Sequence, residues 1–194
     1  MLGRAQVLSL IGQNNLARAD TYIGIGLSRI SKDRHLLADC FLQLAEIYNS
    51  LCNYDRGLDA AKKALRTYHQ LKDQKGISDG LCIVGYAYSC LSDYKRALGY
   101  YKKSLKTCKK IANLEGQGAS FGNIGYIYSL FGDYEQSLQN YNKALKIEIK
   151  VGDLFGQGYE LNNIGYLNYI LGNYVRALEY FNRSAKIRKK NWRP

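Results

Sequence analysis

The chain repeats itself every 40 residues, and few other patterns leave a polypeptide so little choice of fold. Segments opening at Asp33, Asp73, Asn113 and Asp153 carry large, small and aromatic residues in the same order. In register, one column reads Phe41, Leu81, Phe121, Leu161, and three residues on comes Leu44, Val84, Ile124, Ile164. A small residue follows at once (Ala45, Gly85, Gly125, Gly165), and then Tyr48, Tyr88 and Tyr128, with Asn168 breaking the column. Spacing of i, i+3, i+4, i+7 is one face of an amphipathic helix, here termed helix A.

The turn column Cys52, Ser92, Gly132, Gly172 comes next, and Asn53, Asp93, Asp133 and Asn173 then supply good N-caps for a second helix, B. Its buried face runs through Gly57, Ala97, Ser137, Ala177, then Ala61, Tyr101, Tyr141, Phe181, then Ala64, Ser104, Ala144, Ser184. Small residues in such columns let two helices approach closely. Subtracting the period places Ala5 in the small A column, Gly12 in the turn column and Ala17 in the small B column. The pattern predicts a partial first repeat over 1–32 and full repeats over 33–72, 73–112, 113–152 and 153–194, stacked as one continuous domain.

The order of these columns resembles the tetratricopeptide repeat, and residues 121–145, FGNIGYIYSLFGDYEQSLQNYNKAL, match it almost throughout. The resemblance implies an all-α fold, a right-handed superhelical α-solenoid of about five helix-turn-helix hairpins. The chain departs from the family pattern in length, since the usual repeat has about 34 residues. Six extra residues correspond to about 9 Å of helix, so longer hairpins are expected. It also lacks the proline after helix B, its single proline being Pro194. Repeats of this length, with segments such as 114–120 and 177–190, resemble those of G-protein-signalling modulators and those of bacterial sensor and regulator proteins.

No catalytic constellation is visible. Nucleophilic catalysis needs a Ser or Cys within reach of an oriented base, and His35 and His69 recur in no other repeat. The Gly-Gln-Gly pairs at Gly116/Gly118 and Gly156/Gly158 follow the repeat period, which points to turns or close helix packing rather than a phosphate loop. Five cysteines, an odd number without a C-x-x-C pair, argue against a zinc site. Cys40, Cys52 and Cys82 stand where sister repeats hold Ala, Ser or Gly, and small buried or half-buried fillers in a reducing, cytoplasmic compartment are expected. No cofactor, metal or enzymatic activity is expected. There is no apolar run long enough to span a membrane, and the acid-free start, Met1 to Leu16, reads as an ordinary helix in preference to a targeting segment.

In the tetratricopeptide family the A helices line a concave groove. Carried across residue by residue, the resemblance places Glu46, Tyr86, Tyr126 and Tyr166 in it, one residue after the small column. Gln43, Ile83, Asn123 and Asn163 join them, two residues before it. Tyrosine offers apolar area at low conformational entropy, and amides can donate to and accept from a peptide backbone. A partner-binding groove of Gln43, Glu46, Tyr86, Asn123, Tyr126, Asn163 and Tyr166 is therefore expected, with a protein or peptide segment as partner. Segments 112–142 and 151–175 contain no Lys or Arg, so a clamp for a free carboxylate is not expected.

The formal net charge of +12 concentrates on helix B, from Lys62 and Lys63 through Lys102, Lys103, Lys143 and Lys146 to Arg188, Lys189 and Lys190. This predicts a basic back and a nearly neutral groove. Solubility and complementation of helix dipoles account for it, and the alternative is an electrostatic docking module for RNA or acidic membrane. Nucleic acid is disfavoured, because the aromatics are not interleaved with the cations on one face as stacking platforms require. The last pair, with Tyr166, Tyr169, Phe181 and Trp192, is expected to leave an apolar end, which fits a longer array or end-to-end stacking with another copy.

Overall fold

A computed structural model describes residues 13–191, and every regular element in them is an α-helix. In chain order these are α1 (Asn14–Ile30), α2 (Arg34–Ser50), α3 (Tyr54–Leu71), α4 (Gln74–Cys90), α5 (Tyr94–Lys110), α6 (Leu114–Leu130), α7 (Tyr134–Val151), α8 (Leu154–Ile170) and α9 (Tyr174–Asn191). Even-numbered helices are the predicted A helices, and odd-numbered ones the B helices. Helix α1 is helix B of the partial first repeat, with Ala17 buried. The expectations for Ala5, Gly12, the Met1–Leu16 segment up to residue 12, Trp192 and Pro194 lie outside the described residues.

Helices α1 to α8 end by the same device. A residue with left-handed backbone follows the last turn: Lys32, Cys52, Lys72, Ser92, Ala112, Gly132, Gly152 and Gly172, with φ between 54° and 76°. The N–H of the next residue then bonds five positions back, as in Asn53 N to Tyr48 O at 2.8 Å and Asp153 N to Glu148 O at 2.9 Å. This satisfies carbonyls that a helix end otherwise leaves open. That same next residue caps the following helix. Asp33, Asp73, Asn113 and Asp153 accept from the amide three residues on at 2.9–3.0 Å, as Asp93 and Asp133 do at 3.0 and 3.1 Å. One Asp or Asn thus closes one helix with its backbone and opens the next with its side chain.

The chain divides into two compact units, Met1–Thr107 and Cys108–Pro194. In the first, α2 packs on α1, α3 and α4, and α3 also packs on α4. The core there is Leu44, Ala45, Ile47, Ala61, Ala64, Leu65, Tyr68, Val84 and Ala87. In the second, α6 and α7 form one hairpin, α8 and α9 another, and α8 packs on both α6 and α7. Its core gathers Tyr141, Leu145, Leu161, Ile164 and Leu167, with Tyr134, Leu138, Tyr180 and Ile187 against it.

The size columns are explained by helix contacts within each unit. A Cβ added to Gly125 would lie 2.8 Å from the Tyr141 ring, one on Gly165 2.9 Å from Phe181, and one on Gly85 2.8 Å from Tyr101. The small A column therefore exists to admit the aromatic B column. Where the A column carries Ala45, the facing B position shrinks to Ala61, and both are fully buried. The Gly-Gln-Gly pairs serve packing as expected, since a Cβ on Gly116 would meet Cys108 Sγ at 2.5 Å and one on Gly118 would touch Ile147 at 3.4 Å.

Two expectations need correction. Cys52 is not a buried filler: it occupies the exposed left-handed turn position, whereas Cys40 and Cys108 are buried, and all the cysteines are free thiols. The cations are not segregated from aromatic faces either. Lys63 stands over Phe41 at 5.8 Å, Arg96 over Tyr88 at 4.4 Å, and Lys109 and Lys143 over Phe121 at 5.3 and 5.7 Å. The charged heads themselves lie within 6 Å of the ring centroids, in the range of cation–π attraction.

Candidate functional site

The column after the small residue faces solvent in every repeat. Tyr86, Tyr126 and Tyr166 are 49%, 44% and 56% exposed, and Glu46 is exposed as well. Their flanking residues, Gly85 and Ala87, Gly125 and Ile127, Gly165 and Leu167, are buried. The helix period produces this result: the tyrosines lie on the side of the A helix that its B partner does not cover.

The amide column behaves less uniformly. Asn123 and Asn163 are half-buried, and Asn163 Nδ2 donates to Glu160 Oε2 at 3.5 Å. Gln43 is 4% exposed, and neither its Nε2 nor its Oε1 finds a partner. Leaving such a carboxamide unsatisfied costs about 1–3 kcal/mol.

Gln43 borders a cavity in the first unit and Asn123 one in the second. In the first unit, a cavity of about 300 Å³ lies between α2, the end of α3 and the start of α4. Gln43, Glu46, Asp39, Asp73 and Asp79 line it, with Tyr68, Leu42 and Gly76. Tyr68 Oη donates to Asp39 Oδ1 at 2.6 Å, and Asp73 holds the α4 cap. Desolvation, and then the charge of Asp79, push the Glu46 carboxyl above its usual range. Asp79 is raised mainly by desolvation and further by Asp73, against the opposing pull of Lys75 and the Ser78 hydroxyl.

In the second unit, a cavity of about 220 Å³ lies between α6, the end of α7 and the start of α8, with Asn123, Glu148, Phe155, Tyr159 and Glu160 in its wall. Glu148 and Glu160 are 6% and 3% exposed, and Glu148 Oε2 has no hydrogen-bond partner. Desolvation, then Asp153, push Glu148 up to about 7. Desolvation, then Glu148, push Glu160 up to about 8, with Asn163 opposing.

The expectation of a nearly neutral groove is thus amended. In the first unit the cavity wall is acidic, and in the second it holds carboxyl groups poised to titrate near neutrality. Sequence reasoning passed over Asp39, Asp79, Glu148 and Glu160. The available signal was an acid out of keeping with its column: Glu148 stands where other repeats hold Ser28, Tyr68, Cys108 and Arg188, and Glu160 where they hold Cys40, Gly80 and Ser120.

The family profile described as tetratricopeptide repeat matches residues 77–150 and 116–190, which together cover more than half of the sequence. The chain belongs to the tetratricopeptide repeat family. No curated protein sequence matches it. Among solved structures it is similar to a Rap protein complexed with competence and sporulation factor, with a TM-score of 0.87, 16% identity, and coverage of 96% of this chain and 52% of that one. It is similar to BtubC from P. vanneervenii, with a TM-score of 0.80 and 18% identity over 98% of this chain and 80% of that one. It also resembles the STAND protein with a tetratricopeptide repeat sensor from Pyrococcus horikoshii, with a TM-score of 0.79 and 22% identity over 98% of this chain and 30% of that one. The chain thus spans about half of the Rap protein and under a third of the STAND protein. At these identities the likeness concerns the fold. No helix among the described residues is long and apolar enough to cross a membrane.

Proposed function

We propose that this tetratricopeptide repeat chain is a non-enzymatic interaction module that holds a segment of a partner protein on the exposed faces of its A helices, as the regulatory part of a signalling protein. The observation that carries the reading is the outward column of Tyr86, Tyr126 and Tyr166, each set between buried neighbours. Half-exposed tyrosines on rigid helices supply contact area at little entropic cost, and such residues dominate binding energy where they occur. Asn123 and Asn163 stand beside them in the same helices and supply amide groups for a backbone.

The test compares partner capture by the wild type, a Tyr126→Ala, Tyr166→Ala variant and a Lys143→Ser, Lys146→Ser variant, with helicity checked by circular dichroism. Loss of the captured proteins in the tyrosine variant alone is the expected outcome. Loss in the lysine variant alone would move the function to the basic helix-B face, and capture unchanged by the tyrosine substitutions would refute the reading.

A further inference from the structure

A chain with a formal net charge of +12 gathers four acids around one cavity and a buried carboxamide. The cavity of the first unit is lined by Asp39, Glu46, Asp73 and Asp79, and the one cation in its wall, Lys75, is an exposed residue in the first turn of α4. Two of the four acids have work elsewhere, Asp73 as a helix cap and Asp39 as the acceptor of the Tyr68 hydroxyl. Glu46 from α2 and Asp79 from α4 line the same cavity; Glu46 feels the charge of Asp79, and Asp79 that of Asp73. Beside them lies the buried Gln43 carboxamide, with both its donor and its acceptor unsatisfied.

We propose that this cavity receives a basic side chain, arginine or lysine, presented by the partner segment. The assignment rests on the reading that a partner segment lies along the A-helix faces, and it adds a chemical requirement to that segment. A cationic group would neutralise the Glu46 and Asp79 pair through charge-assisted hydrogen bonds, which are about twice as strong as neutral ones. Gln43 Oε1 accepts from the same guanidinium or ammonium, and its Nε2 is left to donate to a carbonyl of the incoming chain.

Two features favour a side chain over a metal ion or a free cation. Among the described residues, no three His, Cys, Asp or Glu side chains come together as a metal site. In addition, Glu46 holds in its repeat the position that Tyr86 holds in the next, so the acid lies in the column assigned to the partner segment.

The Gln43 side-chain amide provides a local reporter. With ¹⁵N-labelled protein, acetyl-arginine-amide is expected to shift the Gln43 NH₂ signal saturably. Acetyl-citrulline-amide, the neutral counterpart, should bind at least ten-fold more weakly. The Glu46→Gln, Asp79→Asn variant should lose the arginine response to a similar degree, and salt should weaken it in the wild type. A capped five-residue peptide with a central arginine should bind more tightly than the capped amino acid.

Equal response to citrulline, no saturable shift, or a response unaffected by the double substitution would overturn the proposal. So would a peptide no tighter than the single residue, or calcium giving the same shift at lower concentration. Because the tyrosine variants lie in the other unit, they leave this titration unchanged. Failure of partner capture therefore bears on the general reading, and failure of the arginine response bears on this assignment alone.

Discussion

Substituting Gly125 by alanine tests whether the small A column exists to admit the aromatic B column. In an exposed helix interior, Gly→Ala stabilises by about 1 kcal/mol, because alanine loses less backbone entropy on folding. At Gly125 the new Cβ would lie 2.8 and 2.9 Å from two atoms of the Tyr141 ring and 3.2 Å from the Ser137 carbonyl oxygen. Neither neighbour can easily yield. Tyr141 is buried in the core, and Ser137 O belongs to a helix whose own hydroxyl donates to Gly125 O at 2.8 Å. Overpacking of this kind costs about 1–3 kcal/mol, which leaves a net loss of up to about 2 kcal/mol. Gly99 is the control, since a Cβ there meets nothing within 4 Å, and Gly99→Ala should stabilise by about 1 kcal/mol. Urea unfolding of the two variants, followed by far-ultraviolet circular dichroism, should therefore give midpoints that move in opposite directions from the wild type. If Gly125→Ala stabilised as much as Gly99→Ala, the size complementarity of the columns would have no energetic force.

Other expectations follow from the turns and the buried polar groups. Ala112 has φ of 54°, so Ala112→Gly should relieve left-handed strain and raise the urea midpoint by about 1 kcal/mol equivalent, net of the entropy glycine adds. Gln43→Met should stabilise the unliganded protein by about 1–3 kcal/mol in the same assay, because it removes two unsatisfied polar atoms at nearly constant volume. Burial pushes Glu148 up to about 7 and Glu160 up to about 8, well above the usual carboxylate range. The native state therefore binds more protons than the unfolded one across this window, and stability falls as pH rises from about 5 to about 8. The thermal midpoint of the wild type should decline over that range, and Glu160→Gln should flatten the decline; an unchanged slope would contradict the pairing.

The fold was legible because its determinants repeat. Gly125, Tyr141 and Ser137 are informative singly only in contact, but four aligned copies expose the size rule without a structure. The exposed tyrosines were legible for the same reason, since their offset from Gly85, Gly125 and Gly165 fixes the helix face. What breaks the repeat was harder to see. Gln43 shares a column with Asn123 and Asn163, yet it is buried where they are half-buried, in the wall of a cavity that Tyr68 and the first turn of α4 also line. Glu148 and Glu160 belong to different helices and meet only because the last turn of α7 abuts the first turns of α8. No single-helix pattern encodes that meeting. The dual role of Asp33, Asp73, Asn113 and Asp153 also needed the backbone geometry, although their spacing was already visible.

The left-handed residues at 32, 52, 72, 92, 112, 132, 152 and 172 recur at half the sequence period. Stop and restart signals are therefore the same for both helix types, and only the side chains between them distinguish an A helix from a B helix. In grammatical terms the punctuation has a period of 20 while the meaning has a period of 40. A helix can change its role by changing its face, without any change to the turns that bound it. The chain accordingly offers sites where a hairpin can be removed or duplicated cleanly, because each boundary already carries its own terminator and its own cap.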